Sequence, residues 1–384
     1  MIPDERVRLL FEAAARERGR TAPAQPPAAP SPGEAIDDWR GRVESARHAA
    51  DAHAVAHRAA VDRAAQRLFG STASEILAHD DSPLVRSTFE LPVPAAHSIG
   101  EVVRQLDGRT PAGPGPRVPG VPAPVRVTLT APARPSGGAI LQLHGGAFWM
   151  GGGDAATRID ELLIEHLARA TGATVLSIDH RLAPEHPFPA AIIDALCVLD
   201  AVRHGRIAAD IDPARLALVG TSSGSNIATV AAMADAAAHP AHRLAALVLI
   251  APSMLLHRAP PTMRANPHGW EMRQRQLRGY LGDAVAADDR WVSPGVADEL
   301  PGMPPTLAVI AAYDEIAMGG HELCAAIASG GSPARAREYP MTHTVAPPDV
   351  EAAIYADIAE FLSPYVGAAG AHHAHSDAQE ASSS

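Results

Sequence analysis

The chain has 384 residues, 47% hydrophobic and 20% charged, so it is long enough to bury the core of one large domain or two small ones. Its 32 basic and 43 acidic residues give a net charge of −11, which argues against a nucleic-acid partner because phosphate binding needs a basic surface. Two cysteines, Cys197 and Cys324, are too few for a disulfide framework. No apolar run has the length of a membrane span and the first residues lack a signal-peptide core, so the sequence predicts a cytoplasmic protein.

Residues 1–80 show helical periodicity in two stretches. Apolar side chains recur at helical spacing over Pro3–Arg18 and over Glu34–Phe69, with Gly70 as a stop signal. The Pro- and Ala-rich residues 21–33 predict an extended linker between them. This extension could serve as a cap over a site in the following domain, and a surface appendage or an oligomer contact explains the pattern equally well.

Residues 81–366 are predicted to form one α/β domain. Residues 83–124 are rich in Pro and Gly, and only Ile99–Leu106 indicates a brief helix. Strands are then predicted at Val125–Leu129 (an edge strand), Gly138–Leu143, Ala173–Asp179, Leu216–Val219, Leu244–Ala251, Thr306–Ala311 and Ala334–Tyr339. Helices are predicted at Asp154–Ala170, Pro189–Val202, Ile227–Ala238 and Val350–Leu362. This alternation is typical of a mainly parallel, twisted sheet with helices on both faces.

Two segments depart from the alternation. Residues 252–305 carry Pro, Trp and Arg and are interpreted as a cap insertion above the carboxyl edge of the sheet. Trp149, Trp270 and Trp291 are candidates for lining a pocket there, with ordinary packing as the equal alternative. Residues 367–384 predict a disordered tail, whose three histidines (His372, His373 and His375) suggest an unstructured end more than a metal site.

A Gly-x-Ser-x-Gly motif follows one of the buried strands. Gly220–Gly224 reads Gly-Thr-Ser-Ser-Gly and is followed at once by a predicted helix. Strand, sharp turn and helix form the context of a nucleophile elbow, where side chains on either side of the serine would clash. Ser222 is therefore the candidate nucleophile, and the N–H of Ser223 points to the start of the helix.

The other parts of an acyl-transfer site also follow strands. His144-Gly145-Gly146 comes after an apolar strand, so the bare N–H groups of Gly145 and Gly146, with that of Ser223, are candidates for an oxyanion hole. A flexible glycine turn is the simpler alternative.

Downstream, Asp314 comes just past a strand, with Glu315 as the fallback carboxylate. His343 lies in the loop after the last strand, so the chain order is Ser, Asp, His, which is the order of α/β-hydrolases. In this reading His343 is the base and Asp314 orients it.

Together these motifs resemble those of the hormone-sensitive-lipase-like esterases, bacterial family IV of the α/β-hydrolase superfamily. The most specific element is Asp179–Ala190, which reads Asp-His-Arg-Leu-Ala-Pro-Glu-His-Pro-Phe-Pro-Ala. The resemblance covers residues 125–362. It implies an α/β-hydrolase fold with a helical cap, partly N-terminal and partly inserted, and carboxylic-ester hydrolysis without a cofactor or metal.

Several residues depart from the family pattern. Ala147 stands where many members carry a third glycine, and His180 replaces a common Tyr. Thr344 and Val345 replace the frequent Gly-Phe after the histidine. None of these changes removes a catalytic atom, but together they leave the identity of the substrate open.

The sequence therefore predicts a serine carboxylesterase that hydrolyses small to medium acyl esters or lactones through an acyl-enzyme. One alternative is a biosynthetic acyltransferase, cyclase or dehydratase on the same scaffold, suggested by the unusual site residues and the long N-terminus. Another is a catalytically inactive homologue that binds a small molecule, which the presence of Ser222, Asp314 and His343 disfavours. The expected partner is a small-molecule ester, and a homodimer is the candidate oligomeric state.

Overall fold

The computed structural model describes residues 4–19, 24–77, 82–93, 124–208, 210–239, 243–261, 267–282 and 286–368. The helix predicted at Ile99–Leu106 and the three histidines of the tail lie outside these residues.

Eight strands form one sheet in the order β1-β2-β4-β3-β5-β6-β7-β8. They are β1 (Leu84–Leu91), β2 (Val125–Pro132), β3 (Ala139–Leu143), β4 (Thr174–Asp179), β5 (Leu216–Thr221), β6 (Ala246–Ile250), β7 (Thr306–Ala311) and β8 (Ala334–Tyr339). β1 and β2 run antiparallel to their neighbours, and the other strands are parallel. The mainly parallel α/β sheet predicted from the alternating pattern is therefore confirmed.

The described residues also form nine α-helices. They are α1 (Glu5–Arg18), α2 (Ile36–Phe69), α3 (Ala73–Leu77), α4 (Asp154–Thr171), α5 (Ala190–Arg203), α6 (Ser223–Ala238), α7 (Pro267–Leu281), α8 (Gly319–Ser329) and α9 (Pro348–Val366). α4 packs against α9, and α5 packs against α6. Every residue of β3 and β6 is buried between these layers, as expected for central parallel strands.

The prediction of an edge strand at Val125–Leu129 was wrong. β2 pairs with β1 on one side and with β4 on the other, so the edge belongs to β1, over Leu84–Leu91. None of the eight residues of that strand is buried, and its four consecutive exposed positions give no alternating pattern. Without that pattern the strand could not be separated from the Pro-rich region that follows it.

The sheet topology places the carboxyl ends of the parallel strands at one edge. β5 ends one residue before Ser222, β7 ends three residues before Asp314, and β8 ends four residues before His343. Ligands of open α/β sheets bind outside this edge of the strands. The three residues therefore leave the sheet on the same side, although they are far apart in the chain.

Candidate active site

Ser222 occupies a sharp turn between β5 and α6. Its φ of 55° and ψ of −114° place a non-glycine residue in a sparsely populated region of backbone conformation. A Cβ added to Gly220 would lie 2.4 Å from the carbonyl oxygen of Gly224, and one added to Gly224 would lie 2.2 Å from that of Leu143. Only glycine fits these two positions, which is the crowding expected of the motif.

The hydroxyl of Ser222 forms the first link of a hydrogen-bonded chain. Ser222 Oγ lies 2.8 Å from Nε2 of His343, and Nδ1 of the same ring lies 2.5 Å from Oδ2 of Asp314. The structure thus brings together three side chains that the sequence identifies as candidates in separate loops. We call Ser222, His343 and Asp314 the Ser–His–Asp cluster.

Asp314 is held in its ionised form by its hydrogen bonds. Burial by itself would raise the pKa of this carboxyl, but the bond to His343 and the N–H groups of Ile316 and Ala317 outweigh burial and lower the pKa below its usual value. The N–H of Ile316 donates to Oδ1 at 3.0 Å, which leaves Oδ2 for the histidine. An ionised carboxylate on Nδ1 favours the tautomer in which Nε2 can accept the proton of Ser222.

The candidate oxyanion donors lie beside Ser222. A Cβ added to Gly145 would lie 3.3 Å from Cβ of Ser222, so the Gly145 backbone passes next to the serine. Gly146 has a φ of 130°, and its added Cβ would lie 1.9 Å from the carbonyl oxygen of Met150. Ser223 is the first residue of α6, where an N–H has no partner within the helix. The backbones of Gly145 and Ser223 therefore pass beside Ser222, and Gly146 follows Gly145 in the same loop.

Helix α2 holds the loop that carries these glycines. The guanidinium of Arg47 donates to the carbonyl of Trp149 at 2.7 Å, and Oδ1 of Asp51 accepts from the N–H of Gly151 at 2.7 Å. Each contact joins residues about a hundred positions apart in the sequence. No local pattern therefore predicts it. Burial raises the pKa of Asp51, and the bond from Gly151 opposes this effect.

The loop of His343 is anchored by the N-terminal helices as well. Val345 is buried in a small apolar cluster that α1 and α2 supply, with Leu10 and Val61 among its members. The hydroxyl of the intervening Thr344 lies 3.2 Å from Nε2 of His57. The residues after the histidine that depart from the family pattern are thus the ones that contact the N-terminal helices.

Two stacked histidines lie beneath the glycine loop. The rings of His144 and His180 are 4.1 Å apart and tilted by only 7°, and both residues are buried. Burial, reinforced by the neighbouring His180, lowers the pKa of His144 to about 3. His144 is therefore neutral at physiological pH and packs as part of the core.

A cavity of about 190 Å³ opens onto the Ser222 hydroxyl. Its lining combines the elbow, the glycine loop and α7 of the segment 252–305, and consists of Ala147, Phe148, Ser222, Ser223, Ser253, Gly269, Met272, Arg273, Gln276, Leu277, Ile316 and His343. None of the three candidate tryptophans belongs to this lining, and Trp149 is buried in the packing below it. Arg273 was missed by the sequence analysis because a lone arginine in a segment of unassigned structure carries no motif.

Among the residues that the structure describes, no three or more His, Cys, Asp or Glu side chains gather in a way that could bind a metal ion. In the same part of the chain, no helix combines the length and apolar character needed to cross a membrane.

The chain is similar to known proteins across this region. Residues 140–346 match the family model described as alpha/beta hydrolase fold. Esterase LipI of Mycobacterium tuberculosis is 33% identical over 246 residues, which are 59% of this chain and 69% of the relative. An arylesterase of Saccharolobus solfataricus is 27% identical over 205 residues, 52% of this chain and 65% of the relative, so the match spans about two thirds of each relative's length.

Solved structures show the same fold. An esterase of Pyrobaculum calidifontis superposes with a TM-score of 0.62 at 22% identity, covering 84% of this chain and 92% of the other. A thermostable esterase of Pseudomonas putida superposes with a TM-score of 0.64 at 17% identity, covering 96% of this chain and 98% of the other. At these identities the likeness concerns the fold alone.

Proposed function

Since the chain belongs to the α/β-hydrolase family, we propose that it is a serine carboxylesterase that hydrolyses small to medium acyl esters or lactones through an acyl-enzyme. The observation that carries the proposal is the continuous chain from Ser222 Oγ through His343 to Asp314, with distances of 2.8 and 2.5 Å. Relatives named as esterases support ester hydrolysis as the reaction class.

In the first half of the reaction, Ser222 Oγ attacks the ester carbonyl while Nε2 of His343 takes its proton. The carbonyl π electrons move to oxygen, and the N–H groups of Gly145, Gly146 and Ser223 stabilise the resulting oxyanion. When the intermediate collapses, the bond from carbon to the alcohol oxygen breaks, and the imidazolium gives its proton to the leaving alcohol. The product is an ester of Ser222.

The second half repeats these steps with water as the nucleophile. His343 takes a proton from water, the hydroxide attacks the acyl carbon, and the imidazolium returns the proton to Ser222 Oγ as the acid leaves. Throughout, the ionised Asp314 stabilises the positive charge on the ring. Because the pKa of this carboxyl is held below its ordinary value, it remains available at neutral pH.

We also propose that the cap has two parts. α7 of the insertion roofs the cavity, since five of its residues lie on the lining. α1 and α2 support the site from the side, through Arg47 and Asp51 on the glycine loop and through the cluster around Val345. In this arrangement the N-terminal helices orient catalytic groups, whereas the insertion shapes the acyl pocket.

The test is hydrolysis of 4-nitrophenyl butyrate by the purified chain and by Ser222→Ala. The proposal predicts turnover by the wild type and a loss of at least about 1,000-fold in the variant, because removal of a nucleophile abolishes the acyl-enzyme route. Ser87→Ala, a change of an exposed serine on β1, serves as the matched control and is expected to keep full activity. Equal activity of Ser222→Ala and the wild type would rule out the mechanism.

A further inference from the structure

The cavity above Ser222 carries one permanent charge. Among the described residues that line it, Arg273 and His343 are the ionisable ones other than hydroxyl groups, and no carboxylate is present. His343 belongs to the Ser–His–Asp cluster, so Arg273 on α7 determines the charge that a ligand meets there.

The guanidinium of Arg273 has few hydrogen-bond partners. Nη2 lies 3.3 Å from Oγ of Ser253, whereas Nε is buried and has no partner among the described residues. A guanidinium offers five N–H donors in a planar fork, so most of its bonding capacity is unused. Leaving such a group unpaired inside a protein costs free energy, unless a ligand supplies the missing acceptor.

Three other enclosed arginines of the chain each pair with a carboxylate. Arg181 pairs with Asp194 at 2.7 Å, and Arg203 contacts both carboxylate oxygens of Asp235. Arg58 likewise pairs with Glu351. Arg273 forms no ion pair with any described residue, so it differs from these three arginines.

Asp314 does not act as the missing ion-pair partner of Arg273. Burial lowers the pKa of Arg273, and the nearby charge of Asp314 raises it in part. The carboxylate of Asp314, however, already accepts hydrogen bonds from His343 and Ile316. When the ring becomes protonated during the reaction, the imidazolium neutralises Asp314, and Arg273 is left without a counter-charge.

We propose that Arg273 binds a carboxylate of the substrate, so that the enzyme is selective for esters that carry, besides the ester group, a free carboxylate close to the scissile bond. A planar fork and a carboxylate match in a bidentate pair, which is the geometry that favours arginine over lysine. A phosphate dianion would call for a second permanent cation, and Arg273 is the one permanently charged residue of the described lining. The cavity of about 190 Å³ restricts the substrate to a short one.

This inference rests on the proposed esterase function, and two pairs of substrates test it. 4-Nitrophenyl hydrogen succinate and 4-nitrophenyl butyrate differ by a carboxylate on the acyl side. 4-Acetoxybenzoate and 4-acetoxybenzamide differ by a carboxylate on the alcohol side. The wild type is expected to prefer the anionic member of one pair by about tenfold or more in kcat/KM after subtraction of spontaneous hydrolysis, and the pair that responds shows which side of the ester faces Arg273.

Variants assign the preference to this side chain. Arg273→Met is expected to lower kcat/KM for the preferred anionic ester by about 10- to 100-fold, because a charge-assisted hydrogen bond is lost, and to change its neutral partner less than threefold. Arg273→Lys keeps the charge without the fork and is expected to recover part of the loss. Arg275→Met, which changes an exposed arginine on the same helix, is expected to leave all four rates unchanged.

The results separate this inference from the function on which it rests. Hydrolysis of the neutral esters without an anionic preference in either pair overturns the inference and leaves the esterase intact. An equal loss on both members of a pair in Arg273→Met also overturns it, because that result indicates a packing role. If none of the four esters is hydrolysed above background, the proposed function fails and the inference fails with it.

Discussion

Arg47 of helix α2 forms a two-pronged ion pair with Glu185, which lies 138 positions later in the chain. The two nitrogen–oxygen distances are 2.9 and 2.6 Å, and both side chains are mostly buried. The same guanidinium donates to the carbonyls of Trp149 and Ala183. One side chain therefore ties the N-terminal helix to the segment Asp179–Ala190 and to the loop of Gly145 and Gly146.

Removal of this contact is expected to affect both stability and catalysis. Arg47→Ala leaves the Glu185 charge enclosed and two carbonyls without a donor, so the free energy of unfolding in urea should fall by about 2–4 kcal/mol. Because the glycine loop loses a support, kcat should fall by about tenfold as well. Arg40→Ala on the same helix removes an exposed pair with Asp37 and should change stability by less than about 0.5 kcal/mol. Equal effects of the two variants would show that α2 is an appendage.

The glycine at the end of the elbow is expected to tolerate no side chain. In Gly224→Ala the new Cβ would lie 2.2 Å from the carbonyl oxygen of Leu143, which is backbone and cannot yield cheaply. Overpacking of this kind should destabilise the fold by about 3 kcal/mol or more, measured by thermal or urea unfolding. Gly41→Ala on α2 meets nothing within 4 Å and should stabilise by about 0.5–1 kcal/mol. A neutral Gly224→Ala would contradict the close approach of the elbow to β3.

Asp160 on α4 gives the fold a dependence on pH. This carboxyl is buried and accepts a bond from Gln142 at 2.8 Å, and burial raises its pKa to about 6. Since the pKa is higher in the folded than in the unfolded chain, the protonated form favours folding. That stabilisation is complete below about pH 4 and is lost as the pH rises through about 6.

Asp160→Asn should therefore be increasingly favourable as the pH rises. The difference in unfolding free energy between this variant and the wild type should be near zero at pH 4 and reach about 3 kcal/mol at pH 7.5, because a shift of about two pKa units is worth roughly that amount. Urea unfolding across this range measures it. Glu161→Gln, at an exposed neighbouring position, should show no such trend. A difference that is constant from pH 4 to 7.5 would mean that Asp160 titrates normally.

The two adjacent carboxylates Asp314 and Glu315 can be separated by amide substitution. Asp314→Asn would favour the wrong tautomer of His343 and should lower kcat/KM by about 1,000- to 10,000-fold. Glu315→Gln should stay within about threefold of the wild type, since Nδ1–H of His343 donates to the neighbouring Asp314. The reverse ranking would assign the orienting role to Glu315.

Asp314→Asn should also alter how the free energy of unfolding depends on pH in acid. The pKa of Asp314 is depressed in the folded chain, so its stabilisation is present above about pH 4 and is lost as the pH falls below that value. The wild type and the variant should therefore converge in stability in acid. Urea unfolding between pH 3 and pH 7 checks the convergence.

Local patterns were sufficient to predict which edge of the sheet carries the candidate site. Ser222 was predicted because glycines at two flanking positions, a buried strand and a helix all indicate one kind of turn. Asp314 and His343 each follow a buried or partly buried strand, and parallel strands bring their carboxyl ends to one edge whatever the intervening sequence. The resemblance to the hormone-sensitive-lipase-like esterases, carried by these motifs, is confirmed by the family match.

Contacts that join distant segments escaped prediction. Arg47 lies on a helix whose sequence gives no sign that this position is buried. Nothing in the local sequence indicates that its partner is the carboxylate of Glu185. The strand Leu84–Leu91 shows no alternation because it is the exposed edge, and α7 begins among residues of high Pro and Arg content. In each case tertiary packing, rather than local propensity, determines the structure.

The most direct test of the nucleophile is covalent labelling of the purified protein with a fluorophosphonate, followed by intact-mass and peptide mass spectrometry. We expect one adduct for each chain, located on Ser222, with loss of esterase activity in proportion to labelling and no adduct in Ser222→Ala. A folded wild-type protein that stays unlabelled, or one that is inactivated by an adduct on another residue, would contradict the catalytic role of Ser222.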